Sequence, residues 1–461
     1  MFNLKTSLAA LSTTGLLLGC AVSSPPNQHE LMPLALGKTT LAKQWKYAQS
    51  AGQFDAETLG FTPDATLKAL IAESQSYNND LRIAAARLEQ SRAALKAAGA
   101  PLLPSLGFAA QTGQSALPTS NMSTSGFGLV ASWEIDLWGR LASQQAASDS
   151  RFKASELDLL YSQQAIAAAV TRAWISTSEA QQQLAISKKM LGYAEQQLQL
   201  TQKSQQVGRS TGQDIALNQA NVALYRNQFA ANQQVLNQAQ RSLEVLLGRY
   251  PAAEVTAANQ LPTAAMTLPA GIPSELMTRR PDVLAAEQRF RAAFQDVEVA
   301  KRARLPSLKL TGGVAYIEES VIQLDPSLKN PLWALTGQLL APIFTGGLLE
   351  AQVEAKNAKQ LEAMAQYSKT AMMALNEVEG ALSNERVLLQ RQTALQTQTV
   401  QFKKAVELAM VQLKVGKADR YSVLQQQFNL ASAEANLLRV QSERLSNRVS
   451  LHQALGGHFP S

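Results

Sequence analysis

Side chains able to do chemistry are few and scattered in this chain. There are three histidines, His29, His452 and His458, and one cysteine, Cys20. The histidines do not fall beside carboxylates or a nucleophile, and no Cys/His metal-ligand spacing occurs. LGKTT at 36–40 ends like a phosphate loop, but the glycine such a loop wants five positions before Gly37 is Met32. No Gly-rich dinucleotide fingerprint is present. The residues therefore predict a protein that is not an enzyme and holds neither cofactor nor metal.

Cys20 is informative through its surroundings. In MFNLKTSLAALSTTGLLLGCAVSS, Lys5 supplies a short positive region and 8–18 an apolar one, and Leu17-Leu18-Gly19-Cys20 supplies a small-residue cleavage site. This resembles a bacterial lipoprotein signal. Residues 1–19 are then a signal peptide, and Cys20 is the lipidated first residue of a 20–63 extension. Ala21, not Asp, follows it, which resembles outer-membrane sorting. Ordinary signal cleavage nearby is the alternative, and either places the chain outside the cytoplasm. A single cysteine permits no intrachain disulfide. Nothing later offers about 18 consecutive apolar residues, so no membrane-spanning helix is expected.

Composition narrows the class. At 46% hydrophobic and 17% charged, the 461 residues can build a core and do not read as disordered. Aromatics are only 6%, while Ala, Gln, Ser and Leu crowd long runs, a helix-forming vocabulary. The charge of +7 is dispersed without a basic cluster, which argues against a nucleic-acid partner.

What positions these residues is an internal repeat. Gly139, Gly208 and Gly248 recur as Gly347, Gly416 and Gly456, each displaced by 208, and LPSL at 103–106 returns at 305–308, displaced by 202. The chain reads as two repeats, 64–248 and 275–456, joined by 249–274 and followed by a 457–461 tail. Nothing breaks a helix between Pro63 and Gly99, or between Pro281 and Pro306. Period-two stretches then predict strands: Leu106, Phe108 and Ala110, then Trp133, Ile135 and Leu137. In the second copy they are Leu308, Leu310, Gly312, Val314 and Tyr316, then Leu335, Gly337 and Leu339.

Each strand pair precedes a 68-residue run, 140–207 and 348–415, about 100 Å long as helix. Each run turns at a Val-Gly pair into a helix over 213–247 or 418–455. Heptads Ile215, Val222, Phe229, Leu236 and Leu243 predict coiled-coil packing. Their counterparts Val423, Leu430, Leu437, Arg444 and Leu451 carry one polar interruption. Four strands of roughly nine to eleven residues cannot close a membrane barrel, which starts at about eight strands. If they lie in a membrane, several chains must share one barrel.

SWEIDLWGRLASQQAAS (132–148), RRPDVLAAEQRFRAA (279–293), ARLPSLKLTGG (303–313) and PIFTGGLLEAQVEAK (342–356) together resemble the TolC/OprM-type outer-membrane factors, nearest the lipoprotein, NodT-like branch. Thr345 departs from the Asp common there, and Leu348-Leu349 from basic residues. The resemblance implies a mainly α fold with membrane β, a homotrimer whose four strands per chain share a 12-stranded β-barrel above a trimeric α-barrel. A mixed collar would lie near 249–274 and the C-terminus. The implied role is the exit duct of a tripartite efflux pump in the Gram-negative outer membrane, passing small molecules such as drugs. Its partners would be a periplasmic adaptor, an inner-membrane transporter of RND type, and outer-membrane lipid. Adaptor hairpins would dock at Val207, Gly208, Val415 and Gly416. Glu407 and Asp419 would form acidic rings at the periplasmic gate, and Asp214 with Arg209 would pair between helices to hold it closed. A type I protein-secretion duct and a periplasmic coiled-coil scaffold are the alternatives.

Overall fold

The structure, a computed structural model, describes residues 24–36, 41–47, 61, 64–117, 120–256, 258, 260–264, 271, 273–319 and 331–459. The signal peptide 1–19 and Cys20 lie outside the described residues. In chain order the elements are α1 (Gln28–Leu36), α2 (Ala65–Tyr77), α3 (Asn79–Gly99), a 3-10 turn (Ala100–Leu102), β1 (Ser105–Leu117), β2 (Ser120–Ile135), α4 (Arg140–Gln206) and α5 (Gly212–Leu246). They continue with α6 (Pro273–Arg279), α7 (Pro281–Arg302), β3 (Ser307–Glu319), β4 (Leu332–Leu340), α8 (Leu348–Lys414) and α9 (Arg420–Ala454). Among the described residues no helix is long and apolar enough to cross a membrane.

The two repeats are congruent at their helix ends. Arg140 and Gln206 become Leu348 and Lys414, and Gly212 and Leu246 become Arg420 and Ala454, each displaced by 208. All six repeat glycines have φ between 70° and 84°. The chain forms two compact units, each drawing on both repeats. One comprises Met1–Thr39, Ala86–Leu157 and Ala285–Lys369; the other Thr40–Ala85, Asp158–Leu284 and Thr370–Ser461.

The first unit carries one antiparallel sheet in the order β1-β2-β3-β4. Its register gathers side chains by chemistry. Phe108 lies opposite Leu129, Leu129 opposite Val314, and Val314 opposite Trp333. Since alternate residues share a face, Leu106, Phe108, Phe127, Leu129, Trp133, Leu308, Leu310, Tyr316, Leu335 and Leu339 lie on that same side. Phe127 stacks on Tyr316 at 5.8 Å and sits 6.3 Å from Phe108. The opposite face holds Gly107, Ala109, Gln111, Gly126, Gly128, Ser132, Glu134, Lys309, Thr311, Thr336 and Gln338, with Val130, Leu332 and Leu340 among them. Three strands are longer than the sequence suggests, at 13, 16 and 13 residues, with β4 at 9. Leu137 lies beyond β2 in a turn, because the Asp136 carboxylate accepts from Leu141 N (3.1 Å) and Ala142 N (2.7 Å) and starts α4 there.

In the second unit, Leu67, Ile71, Ala168, Trp174, Leu243 and Val449 pack α2, α4, α5 and α9 into one core. The stretch from Pro63 to Gly99 is not one helix: it breaks at Asn78, whose backbone is extended (ψ 129°). The Asn78 Oδ1 accepts from Asp80 N and Leu81 N, restarting the helix, while Nδ2 donates to the Leu246 carbonyl at 2.8 Å. The second repeat breaks at Arg280, where Pro281 opens α7 and Arg280 Nη1 donates to the Ala454 carbonyl at 3.1 Å. Different side chains thus satisfy the corresponding helix end in each repeat, 202 residues apart in donor and 208 in acceptor.

Heptad residues Val222, Leu236, Leu243, Val423 and Leu451 are buried as the spacing predicts. The polar interruption Arg444 is buried too. Arg444 Nε (2.8 Å) and Arg448 Nε and Nη2 (3.0 and 2.8 Å) all donate to Glu385 Oε1. Two buried guanidinium groups therefore share one carboxylate oxygen, and Arg444 Nη1 also donates to Gln392 Oε1 at 3.0 Å. Removing one partner of such a cluster leaves buried charge uncompensated, at a cost of about 3–5 kcal/mol. Glu385→Ala is expected to lower unfolding stability by that amount in urea titrations followed by circular dichroism, and a loss below about 1 kcal/mol would contradict the assignment.

Candidate functional site

The helix tips are built by two identical backbone devices. At the first, Gly208 N donates to Gln205 O (2.9 Å) and Arg209 N to Ser204 O (2.8 Å); at the second, Gly416 N donates to Leu413 O (3.2 Å) and Lys417 N to Gln412 O (2.8 Å). These paired bonds close the ends of α4 and α8 through a residue in left-handed conformation, with φ 70° at Gly208 and 72° at Gly416. A Cβ at either glycine would meet nothing within 4 Å. Glycine is needed there for its φ, not for packing, and the space outside it is open. Val207 and Val415, adjoining these glycines, are large apolar side chains left exposed.

The restart of each short helix occupies residues that the sequence assigned to a gate. Thr211 caps α5 and forms a reciprocal box with Asp214: Asp214 N donates to Thr211 Oγ1 (3.2 Å), and the Asp214 carboxylate accepts from Thr211 N (2.7 Å) and Thr211 Oγ1 (2.9 Å). The bonds from the Thr211 backbone and hydroxyl hold the Asp214 carboxyl below its ordinary value. Asp419, displaced by 208 from Thr211, caps α9 by accepting from Ser422 N at 2.8 Å. So Asp214 and Asp419 occupy different cap positions. The structure does not bring Arg209 to Asp214: Arg209 is exposed and, among the described residues, makes no ion pair. Glu407 is exposed on α8, about two turns before its end.

Sequence reasoning missed the residues that tie segments to the helix ends. Glu244 accepts from Ala253 N (2.7 Å), Glu254 N (2.7 Å) and Val255 N (3.0 Å), pinning the start of the segment after α5. Burial alone would raise its pKa, but the three backbone donors bring it below the usual carboxylate value. At the matching position in the second repeat, His452 Nε2 contacts His458 O at 2.7 Å and pins the tail after α9. The only available signal was that both positions lie 208 apart near a repeat glycine.

The family model for outer membrane efflux protein matches residues 70–249 and 272–457, well over half of the chain. The chain belongs to that family. As an outer membrane efflux protein it is similar to the pyoverdine export outer membrane protein OpmQ of Pseudomonas aeruginosa, 31% identical over 98% of this chain and 97% of that one. It is 27% identical to the cation efflux system protein CusC of Escherichia coli K12, over 96% of this chain and 97% of the relative. Among solved structures, the outer-membrane channel OprN matches with a TM-score of 0.82 at 26% identity, covering 95% of this chain and 99% of the other. The Campylobacter jejuni CmeC channel matches with a TM-score of 0.83 at 22% identity, covering 95% of each, a likeness of fold. The outer membrane efflux protein described here thus has the fold of a TolC-type channel and is located in the outer membrane.

The depressed Asp214 pKa gives a signed prediction. A carboxylate with a lowered folded pKa contributes stability that is fully present above its unfolded value and is lost as pH falls through the folded one. Amide protection in the first turn of α5 is expected to weaken on acidification below about pH 4, and Asp214→Asn to remove that acid limb. Hydrogen exchange measured across this range checks it; protection that ignores pH in the parent would contradict the cap's role.

Proposed function

We propose that three copies of this chain form the exit duct of a tripartite efflux pump, with lipid on Cys20 and a passive, non-enzymatic conduit through the shared barrel. The observation that carries this reading is the sheet: one face mainly apolar, the other mainly small or polar, and, among the described residues, the outer edges of β1 and β4 unpaired. A lipid-facing wall around an aqueous lumen needs that division, and open edges are not tolerated in hydrocarbon. The partners are a periplasmic adaptor and an inner-membrane transporter of RND type. The two relatives' names, pyoverdine export and cation efflux, differ in cargo, which supports a wall that does not choose its cargo. Small-molecule efflux is therefore favoured over protein secretion.

Adaptor docking falls to Val207, Gly208, Val415 and Gly416. Their open surroundings and exposed valines support this, since among the described residues nothing packs against Val207 and Val415 closely enough to bury them. Gly208→Asp and Gly416→Asp are expected to abolish drug resistance while trimers still assemble; normal resistance would remove docking from the tips.

Glu407 and Asp419 set the gate's charge, three copies of each ringing the axis and favouring cations. Asp419 is also a cap, so the test must keep the cap: Asn accepts the same Ser422 N–H without the charge. Glu407→Gln and Asp419→Asn are expected to raise single-channel conductance in planar bilayers, and unchanged conductance would exclude both from the gate.

A further inference from the structure

The sheet consists of two copies of one hairpin, and this fixes what its missing neighbour looks like. Ser105 pairs with Ser132 in the first hairpin and Ser307 with Leu340 in the second, offsets of 202 and 208 that match those of the sequence repeat. Between the hairpins, β2 meets β3 with Ala131 opposite Gly312 and Ile135 opposite Leu308. At the base of this seam the link from β2 to α4 is covered by the corner between α7 and β3. Trp138 Nε1 donates to Pro306 O at 2.7 Å, and Arg302 Nη1 to Gly139 O at 2.8 Å and to Ser143 Oγ. Ile135, Asp136, Leu305 and Pro306 line one cavity there.

Leu340, Pro342 and Thr345 of the second hairpin border the same cavity, but among the described residues nothing covers Ile343 and Phe344. Ile343 and Phe344, the counterparts of Ile135 and Asp136, are 98% and 89% exposed. The counterpart corner is bare as well: Leu103 is 69% exposed where Leu305 is 40%, and Pro104 is exposed where Pro306 is half-buried. Both halves of one contact are thus present and unmatched within a single chain.

We propose that Ile343 and Phe344 form an apolar plug seated on Leu103 and Pro104 of a second copy of this chain, at the foot of the β4–β1 seam. The inference rests on the shared-barrel reading and adds its register and its lock. Applying the two offsets to the β2–β3 pairing places Leu339 opposite Ala110 and Gly337 opposite Thr112 of the neighbour. Both members of each pair lie on the apolar face, as a sealed wall requires, whereas a one-residue slip would turn one partner inward. Gly346 stands where the first repeat has Trp138, so no indole bridges this seam and the plug supplies the contact.

Cysteine pairs in the full-length chain, oxidised in membranes, test both parts. Ala110→Cys with Leu339→Cys is expected to give covalent dimers and trimers, and Ala110→Cys with Gln338→Cys none. Ile343→Ser with Phe344→Ser should keep the first crosslink but shift the temperature at which trimers dissociate in detergent downward. Chains that are monomeric by mass would overturn the trimer itself. Trimers that crosslink only through Gln338 would overturn the register alone. Trimers of unchanged heat resistance in the Ile343→Ser, Phe344→Ser variant would overturn the plug alone. Brominated lipid that quenches the added emission of Phe344→Trp would assign the plug to lipid and overturn it likewise.

Discussion

Hydrocarbon offers no hydrogen bonds, so every backbone N–H and C=O placed in it must find a partner in protein. That constraint decides how the chain can be used. Among the described residues its four strands satisfy one another across three seams and leave the outer edges of β1 and β4 open. Neither repeat closes a wall, and neither does the chain. Closure has to come from more copies, and a chain that is itself two hairpins meets its neighbour with the same geometry it uses between its own halves.

The repeats keep geometry and change chemistry. Left-handed glycines stand at all six matching positions because the turns need that φ. Side chains doing equivalent work are free to differ, provided they offer the right donor or acceptor. Asn78 and Arg280 both reach the final carbonyls of a 35-residue helix, Thr211 and Asp419 both cap one, and Glu244 and His452 both pin the segment that follows. Pseudo-symmetry of this kind stiffens the frame without demanding identical residues.

Much of that frame was legible because its signals are local or periodic. Glycine spacing located the helix ends to within a residue or two, and heptads located the buried seam. Arg444 stood out as a break in the seam, but not as a buried ion pair, because Glu385 lies 59 residues earlier and no periodic rule connects them. The break at Asn78 was invisible for a related reason: asparagine is tolerated in helices, its capping bonds to Asp80 N and Leu81 N are local, and the Leu246 carbonyl that its Nδ2 reaches is 168 residues away. The family resemblance put Asp214 and Asp419 at a gate, and acidity near a turn does not distinguish that from capping; in the structure Asp419 caps α9 and Asp214 closes the capping box of α5. The strands outran expectation because alternation marks the lipid-facing core of a strand better than its ends.

The most direct test of the shared barrel is the mass of the detergent-extracted protein measured by native mass spectrometry together with its requirement for detergent. Three chains per particle, inseparable from a detergent belt, is the predicted result. A single chain that stays dispersed in water after the detergent is removed would contradict the account at its root.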